Sequence, residues 1–196
     1  MKKTILIAIL ALAGITSVHA QEEDQTDSQK RLDNFTAEKR HEVSLDVISA
    51  LVIPAFNPRY EYVLGRYSGV GVDLFITFNN EDISFEDYEK LSLTPYYRQY
   101  FFSKEDYGAK GFYGEGFLKF FTYDDFEYND DFSSFENEKT YFETAIGVGI
   151  GWKWVSDSGF MIDLGLGLGR DLGFADNDDY DLDIRVRGGL NFGWRF

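Results

Sequence analysis

Few residues in this sequence could carry out catalysis. The chain has two histidines and no cysteine, so it can form no disulfide, thiolate metal site or cysteine-linked lipid anchor. His41 opens a segment of alternating polarity, and a solvated residue at a strand end is the preferred interpretation. The sequence contains neither a Gly-x-Ser-x-Gly nor a His-Glu-x-x-His motif. We therefore predict that the protein is not an enzyme and holds no cofactor or catalytic metal.

An acidic segment near the C-terminus has the residue type that binds divalent cations. It carries five aspartates: Asp176, Asp178, Asp179, Asp181 and Asp183. A calcium-binding EF-hand loop needs a glycine at its sixth position and a glutamate at its twelfth, and this segment has neither. A solvated acidic loop is therefore the preferred interpretation. Weak binding of the divalent cations that bridge lipopolysaccharide phosphates stays open as an alternative.

Apolar and polar residues alternate from His41 onward, which is typical of strands with two unlike faces. We count eight such runs, at residues 42 to 53, 58 to 64, 68 to 78, 91 to 102, 111 to 121, 141 to 155, 159 to 170 and 183 to 196. Large apolar side chains keep to one face of each run. Pro95 lies inside the fourth run and cannot donate a ladder hydrogen bond, so we expect a bulge or a register shift there.

The opposite face is rich in glycine and carries charges of both signs. Its six acids and seven bases are Asp46, Glu61, Asp73, Glu115, Glu143 and Asp163 against Arg59, Arg98, Lys119, Lys153, Arg185, Arg187 and Arg195. The whole chain holds 34 acids and only 19 lysines and arginines, so this near balance is unusual for a solvated surface. We predict an interior network of ion pairs that neutralises itself.

The connections between the runs are short at one end and long at the other. The end that carries the N-terminus has connections at 65 to 68, 104 to 110 and 156 to 158, and the other end has 54 to 57, 79 to 90, 122 to 140 and 171 to 182. This asymmetry, with an even number of strands, predicts an all-β, up-and-down, eight-stranded antiparallel transmembrane β-barrel. We interpret 122 to 140 as hairpin strands that extend above the membrane, and an adhesive surface of exposed aromatic residues among acids is the alternative. A soluble barrel or sandwich with its large residues inside stays an alternative.

The N-terminus has the pattern of a secretory signal peptide. Two lysines precede a short apolar run and a small-residue cleavage site, so we predict cleavage between Ala20 and Gln21. Residues 1 to 20 are then the signal peptide, 21 to 40 a flexible polar segment and 41 to 196 the barrel. The formal net charge of -15 makes nucleic acid an unsuitable partner, because phosphates repel an acidic protein.

Several segments, among them LSLTPYYRQYFF, AIGVGIGWKWV and GGLNFGWRF, resemble the small outer-membrane β-barrel proteins of Gram-negative bacteria. The resemblance covers residues 41 to 196 and is closest to the uncharacterised barrels of that membrane. It implies outer-membrane lipid and the barrel-insertion machinery as partners. It also implies that the machinery reads a C-terminal signal made of Leu190, Phe192, Trp194 and Phe196. The alternative is that these four residues only complete the lipid face and close the barrel.

The function that follows is non-enzymatic. We expect an outer-membrane barrel with a plugged, ion-paired interior and a structural or surface-interaction role through long acidic extracellular loops. A narrow channel and a soluble periplasmic barrel that binds an apolar ligand are the alternatives. An enzyme that acts on envelope lipids is the least favoured function. The resemblance implies that hydrolases among the small outer-membrane barrels work near the outer rim, whereas His41 falls at the periplasmic rim.

Overall fold

The computed structural model describes residue 30 and residues 38–52, 55–78, 88–101, 108–128, 135–173 and 184–196. In chain order the elements are β1 (His41–Asp46), α1 (Val47–Val52), β2 (Ala55–Phe56), β3 (Pro58–Gly65), β4 (Ser68–Thr77), β5 (Tyr88–Tyr100), β6 (Gly111–Tyr128), β7 (Phe135–Val155), β8 (Phe160–Asp171) and β9 (Ile184–Arg195). In this part of the chain, no helix is both long enough and apolar enough to cross a bilayer. The predicted signal peptide, its cleavage site and most of the segment 21 to 40 lie outside the described residues.

Eight of these strands close into an antiparallel barrel. Strands β3 to β9 each pair with their neighbours in sequence, and β1 lies between β3 and β9, while the two-residue β2 adds to one end of β4. Closure brings Glu42 opposite Arg195 and Asp46 opposite Asn191. The backbones of His41 and Phe196 exchange two hydrogen bonds, of 2.9 and 2.8 Å. The predicted eight-stranded antiparallel barrel is thus confirmed.

The barrel has two unlike rims. One rim carries the start of β1 at His41, the C-terminal residue Phe196, the turn at Arg66 and Tyr67, and the tight turn from Ser156 to Gly159. In that last turn the Gly159 N–H donates to Ser156 O at 2.9 Å, and Gly159 has a φ of 95°, which a side chain would disfavour. Connections at the opposite rim include residues 79–87, 129–134 and 174–183, which lie outside the described residues. We call the two rims the terminus rim and the loop rim.

The strand alternation turns large apolar side chains outward and charged side chains inward. On β7, Ile146, Val148 and Ile150 are 53, 70 and 59 % exposed, whereas Lys153 is buried. Inward glycines on β7 and β8 leave room for large inward side chains of other strands. A Cβ on Gly151, for example, would meet the Tyr113 ring and lie 2.5 Å from a backbone oxygen. The polarity of the barrel is therefore the reverse of a soluble protein's.

The first strand is shorter than predicted. The alternation predicts a strand to residue 53, but β1 ends at Asp46 and α1 follows. The Asp46 carboxylate accepts hydrogen bonds from the Ile48 backbone N–H at 3.0 Å and from the Ser49 hydroxyl at 2.5 Å. This is how an aspartate caps the first turn of a helix. The sequence VISALV has Ser49 as its one polar residue, so the alternation that predicts a strand is weak in the segment that forms α1.

The register at Pro95 is regular, so the predicted bulge there is wrong. Leu93 lies opposite Phe120 and Tyr96 opposite Phe117, which is one unbroken register across the proline. Proline removes one ladder hydrogen bond, and the sheet accommodates that loss without inserting a residue. The register shift in this pair of strands comes earlier, between Glu89 and Leu91.

Strands β6 and β7 form the longest hairpin. Strand β6 ends at Tyr128 and β7 begins at Phe135. Their register runs from Gly111 opposite Lys153 to Tyr128 opposite Phe135. The prediction that 122 to 140 is largely hairpin strand agrees with these bounds. The barrel wall is therefore tallest at this hairpin.

Candidate functional site

The centre of the barrel interior is occupied by Arg98 of β5, which is fully buried. Its Nη1 donates to Glu61 at 3.0 Å and to Asp163 at 2.7 Å, and its Nε donates to Glu115 at 2.7 Å. The acids come from β3, β8 and β6, so a single guanidinium links four strands. Arginine suits this position because its planar group presents several donors and keeps its charge when buried.

Two further arginines extend the network toward the loop rim. Arg59 donates to Asp73 at 2.6 Å and to Asp163 at 2.8 Å. Arg187 pairs with Asp73 and with Glu115. Asp73, Glu115 and Asp163 are thus each shared between two arginines. Every carboxylate in this part of the interior has more than one charged partner.

Toward the terminus rim the network continues through Glu42. Lys153 Nζ donates to Glu42 at 2.6 Å and to Glu61 at 2.8 Å. Arg195 Nε donates to the other oxygen of Glu42 at 2.6 Å. The same guanidinium also donates to the backbone oxygens of Gly108 and Ala109, at 2.6 and 2.7 Å. This last contact ties the residues just before β6 to the C-terminal end of β9.

Three buried tyrosines complete the hydrogen bonding of the carboxylates. The hydroxyls of Tyr96 and Tyr100 donate to Glu61 at 3.1 and 2.8 Å, and that of Tyr113 donates to Asp163 at 2.7 Å. The Arg98 guanidinium also lies over the rings of Tyr113 and Tyr96, 4.1 and 4.7 Å from their centroids. These hydroxyls satisfy further acceptor positions of the buried carboxylates, whereas Arg98 Nη2 has no hydrogen-bond partner among the described residues.

These ion pairs form one connected network with equal numbers of both charges. Its members are Glu42, Glu61, Asp73, Glu115 and Asp163 with Arg59, Arg98, Lys153, Arg187 and Arg195. A cavity beside Arg59, Arg98 and Arg187 has a volume of about 10 Å³. That is roughly the space of one water molecule. Where the structure describes it, the middle of the barrel is filled by side chains.

The other four predicted interior residues, Lys119, Arg185, Glu143 and Asp46, have contacts of their own. Lys119 pairs with Glu89 at 2.5 Å and Arg185 pairs with Asp171 at 3.0 Å, both toward the loop rim. Glu143 is fully buried and accepts a hydrogen bond from the Thr144 backbone N–H at 2.7 Å.

Asp46 requires a correction, because it has no basic partner among the described residues. Its oxygens are bonded to Ile48, to Ser49 and to the Leu190 backbone N–H, the last at 3.1 Å. It is buried and faces inward, as the alternation predicts. However, β1 ends at this residue, so its carboxylate caps α1 and does not reach an arginine or lysine. Asp46 is therefore a structural cap and not a member of an ion pair.

The sequence interpretation missed Glu42, which bridges Lys153 and Arg195. The signal was present, because Glu42 and Asp46 share a face in a strand of period two. It also missed Glu89 and Asp171, which lie just beyond the predicted ends of the fourth and seventh runs. The tyrosine hydroxyls were missed because a tyrosine in an alternating run is compatible with either face.

His41 lies at the terminus rim among aromatic rings. Its Nδ1 is 2.8 Å from the Tyr60 hydroxyl oxygen, and its ring centroid is 5.3 Å from that of Tyr62 and 6.1 Å from that of Phe196. Within the described residues, no group of histidine, aspartate and glutamate side chains could hold a metal ion. The aspartates from Asp176 to Asp183, for which weak cation binding stays open, lie outside the described residues.

The C-terminal strand presents its apolar residues outward. Phe192, Trp194 and Phe196 are 36, 56 and 59 % exposed, and Leu190 is half-buried on the same face. Trp194 packs edge-on against Phe160, with 5.0 Å between ring centroids. Comparisons of the chain with protein-family models, with curated proteins and with solved structures find no match.

Proposed function

We propose that this protein is an outer-membrane β-barrel whose ion-paired interior closes it to solutes. In this proposal it is not an enzyme, and it serves a structural or surface-interaction role through its acidic loops. Outer-membrane lipid and the barrel-insertion machinery are its partners, and the signal of Leu190, Phe192, Trp194 and Phe196 directs it there. The observation that carries the proposal is the reversed polarity of the barrel.

The outward face supports a lipid environment. Among the outward residues that the structure describes on β7, β8 and β9, Arg170 is the one charged side chain, and it lies next to the loop end of β8. Many large apolar side chains on these strands are more than half exposed, including Val148, Leu166 and Val186. A continuous apolar surface of this kind marks a protein or membrane contact. We call the outward apolar residues of these strands the apolar belt. A belt of this kind around a closed barrel matches the surface that a transmembrane barrel presents to lipid.

The aromatic residues at the terminus rim support the same orientation. Trp152, Trp154 and Trp194 all lie outward near that rim, and Trp152 and Trp154 are 6.0 Å apart between ring centroids. Tryptophan and tyrosine are enriched where a bilayer meets water, because their rings have an apolar body and a polar edge. The terminus rim therefore corresponds to the periplasmic interface in this proposal.

The described interior gives no support to the two rival functions. A carrier of an apolar ligand needs an apolar cavity, whereas the space between the described strands holds the ten charged side chains of the network together with buried tyrosines. A channel needs a continuous water path, whereas the cavity beside Arg98 has room for about one water molecule. These residues therefore suit a closed barrel surrounded by lipid better than a carrier or a channel.

Gel mobility of the protein from purified outer membranes tests the proposal. Closed membrane barrels resist SDS until they are boiled, so unboiled protein should run at a different apparent mass from boiled protein. We expect this heat shift, and we expect the protein in the detergent-extracted membrane fraction. Recovery in the soluble periplasmic fraction without a heat shift would overturn the proposal. Planar bilayers test closure separately, and steady single-channel conductance would show an open interior.

A further inference from the structure

The barrel wall has a seam beside α1. The ladder between β1 and β9 stops where Asp46 lies opposite Asn191, although β9 continues to Ile184. On the other side of the seam, β3 begins only at Pro58 and the two residues of β2 pair with Ile76 and Thr77 of β4. The half of β9 nearest the loop rim is therefore paired with β8 on one side. On its other side, where β1 would continue, it lies beside α1.

The helix is fixed in place and yet exposes apolar side chains. The Asp46 cap binds Ile48 and Ser49 and also the Leu190 backbone N–H of β9, so it joins helix and strand. Ile48 is 46 % exposed and Leu51 is 80 % exposed. These two residues are three apart and share one side of the helix. The six residues of α1 include no charged residue.

A strand edge without a partner strand is costly in hydrocarbon, because lipid offers no hydrogen bonds to its N–H and C=O groups. An uncharged helix beside such an edge covers it from lipid. The chain on both sides of α1 also belongs to the apolar belt, because Leu45 before it and Phe56 after it face outward and are 36 and 43 % exposed. The exposed side of α1 is therefore continuous with that belt.

We propose that α1 is an interfacial helix that inserts Ile48 and Leu51 into the lipid leaflet at the loop rim and covers the seam in the barrel wall. The occupant of its apolar side is lipid acyl chain close to the headgroups. A short apolar helix that lies in the interface inserts only to the headgroup and acyl boundary. This inference rests on the proposed membrane location, so its test must also report on the location.

Site-specific fluorescence in lipid vesicles tests the depth of α1. The chain has no cysteine, so single cysteines can be introduced and labelled with an environment-sensitive fluorophore. The test variant is Leu51→Cys, with Ile48→Cys as a second position on the same side of the helix. The controls are Leu166→Cys, in the middle of the outward face of β8, and Ser158→Cys, in the exposed turn at the terminus rim. Each full-length variant is refolded into phosphatidylcholine vesicles that carry nitroxide near the headgroup or deep in the acyl chain.

We expect the labels at Leu51 and Ile48 to be quenched more by the shallow nitroxide than by the deep one. The label at Leu166 should show the opposite order, and the label at Ser158 should be quenched least. If Leu166 is quenched and both α1 labels behave like Ser158, α1 is in water and the inference is overturned. If Leu166 also escapes quenching in correctly folded protein, the membrane location itself is wrong.

Discussion

Replacing Lys153 by methionine tests whether the interior is a desolvated ion-pair network. Lys153 has no exposed side-chain surface and bonds Glu42 and Glu61 at 2.6 and 2.8 Å. Methionine keeps much of the length of the side chain and removes the charge. The five acids of the network then face four bases, and two buried carboxylates lose a partner.

The expected loss is large because the two carboxylates stay buried. Removing one partner of a buried ion pair costs about 3 to 5 kcal/mol. Glu61 keeps Arg98 and two tyrosine hydroxyls, and Glu42 keeps Arg195, so we expect a value near the lower end of that range. Lys119→Met is the matched control, because the side chains of its pair with Glu89 keep some solvent contact, being 13 and 20 % exposed. A pair that keeps some solvent contact contributes less than a fully buried one, so we expect Lys119→Met to cost less than Lys153→Met.

A second substitution separates charge balance from lost packing. In the double variant Lys153→Met with Glu42→Gln, the network again holds four acids and four bases. We expect the double variant to be more stable than the sum of the two single losses predicts, by about 0.5 to 3 kcal/mol. Additive losses would show that the charges of Lys153 and Glu42 do not stabilise each other.

Urea unfolding in lipid vesicles measures these free energies. All three tryptophans of the chain, Trp152, Trp154 and Trp194, face outward, so their emission reports the transfer of the strands between lipid and water. The gel shift on boiling gives an independent measure of the folded fraction. A loss for Lys153→Met no larger than that for Lys119→Met, with additive behaviour in the double variant, would refute the desolvated network.

Three further predictions concern the wall and its ends. Gly151→Val should destabilise the barrel by about 1 to 3 kcal/mol or more, because its Cβ would collide with the Tyr113 ring; Gly116→Ala, with no atom within 4 Å of its Cβ, should leave the urea midpoint unchanged or raised. Asp46→Ala should cost about 0.5 to 2 kcal/mol in the same unfolding measurement because α1 loses its cap, whereas Asp46→Asn should retain most of that stability. Phe196→Ala should reduce the heat-shifted band in cells while the purified variant refolds normally in detergent; equal losses in both settings would contradict a role in insertion.

The fold could be predicted from the sequence because period two is a strong signal in a barrel with two unlike faces. Val148 and Ile150 face outward and Lys153 faces inward, as the alternation predicts. Strand ends were less predictable. Asp171 and Glu89 lie just past the predicted boundaries, and a strand end has no signal of its own when the next residues are polar.

The helix α1 could not be predicted from periodicity. A run of six residues is too short to show a period of 3.6, and its valines and isoleucine favour strands by intrinsic preference. The decisive feature is the tertiary position of Asp46, whose carboxylate is bonded to both the helix and β9. Only the closed barrel brings the Leu190 N–H to that carboxylate, so local sequence could not reveal this cap.

Some of the ion pairs inside the barrel could be predicted from strand order and register, and others could not. Arg59 with Asp73, Arg98 with Glu115 and Glu42 with Arg195 lie directly opposite each other on neighbouring strands. For the first two, strand order and register suffice to identify the pair. By the same rule Lys153 would pair with Asp163, which lies opposite it. Lys153 instead bonds Glu42 and Glu61.

The reason is that an eight-stranded barrel is narrow enough for side chains from opposite walls to meet. Asp163 forms ion pairs with Arg59 and Arg98 from across the interior. Lys153 instead forms its ion pairs with Glu42 of β1 and Glu61 of β3. These contacts exist only when β1 and β9 have closed the ring. Stability contributed by Lys153 is therefore gained at closure and not in the hairpins that precede it. A substitution such as Lys153→Met should accordingly weaken the closed barrel while leaving the β7–β8 hairpin register unchanged.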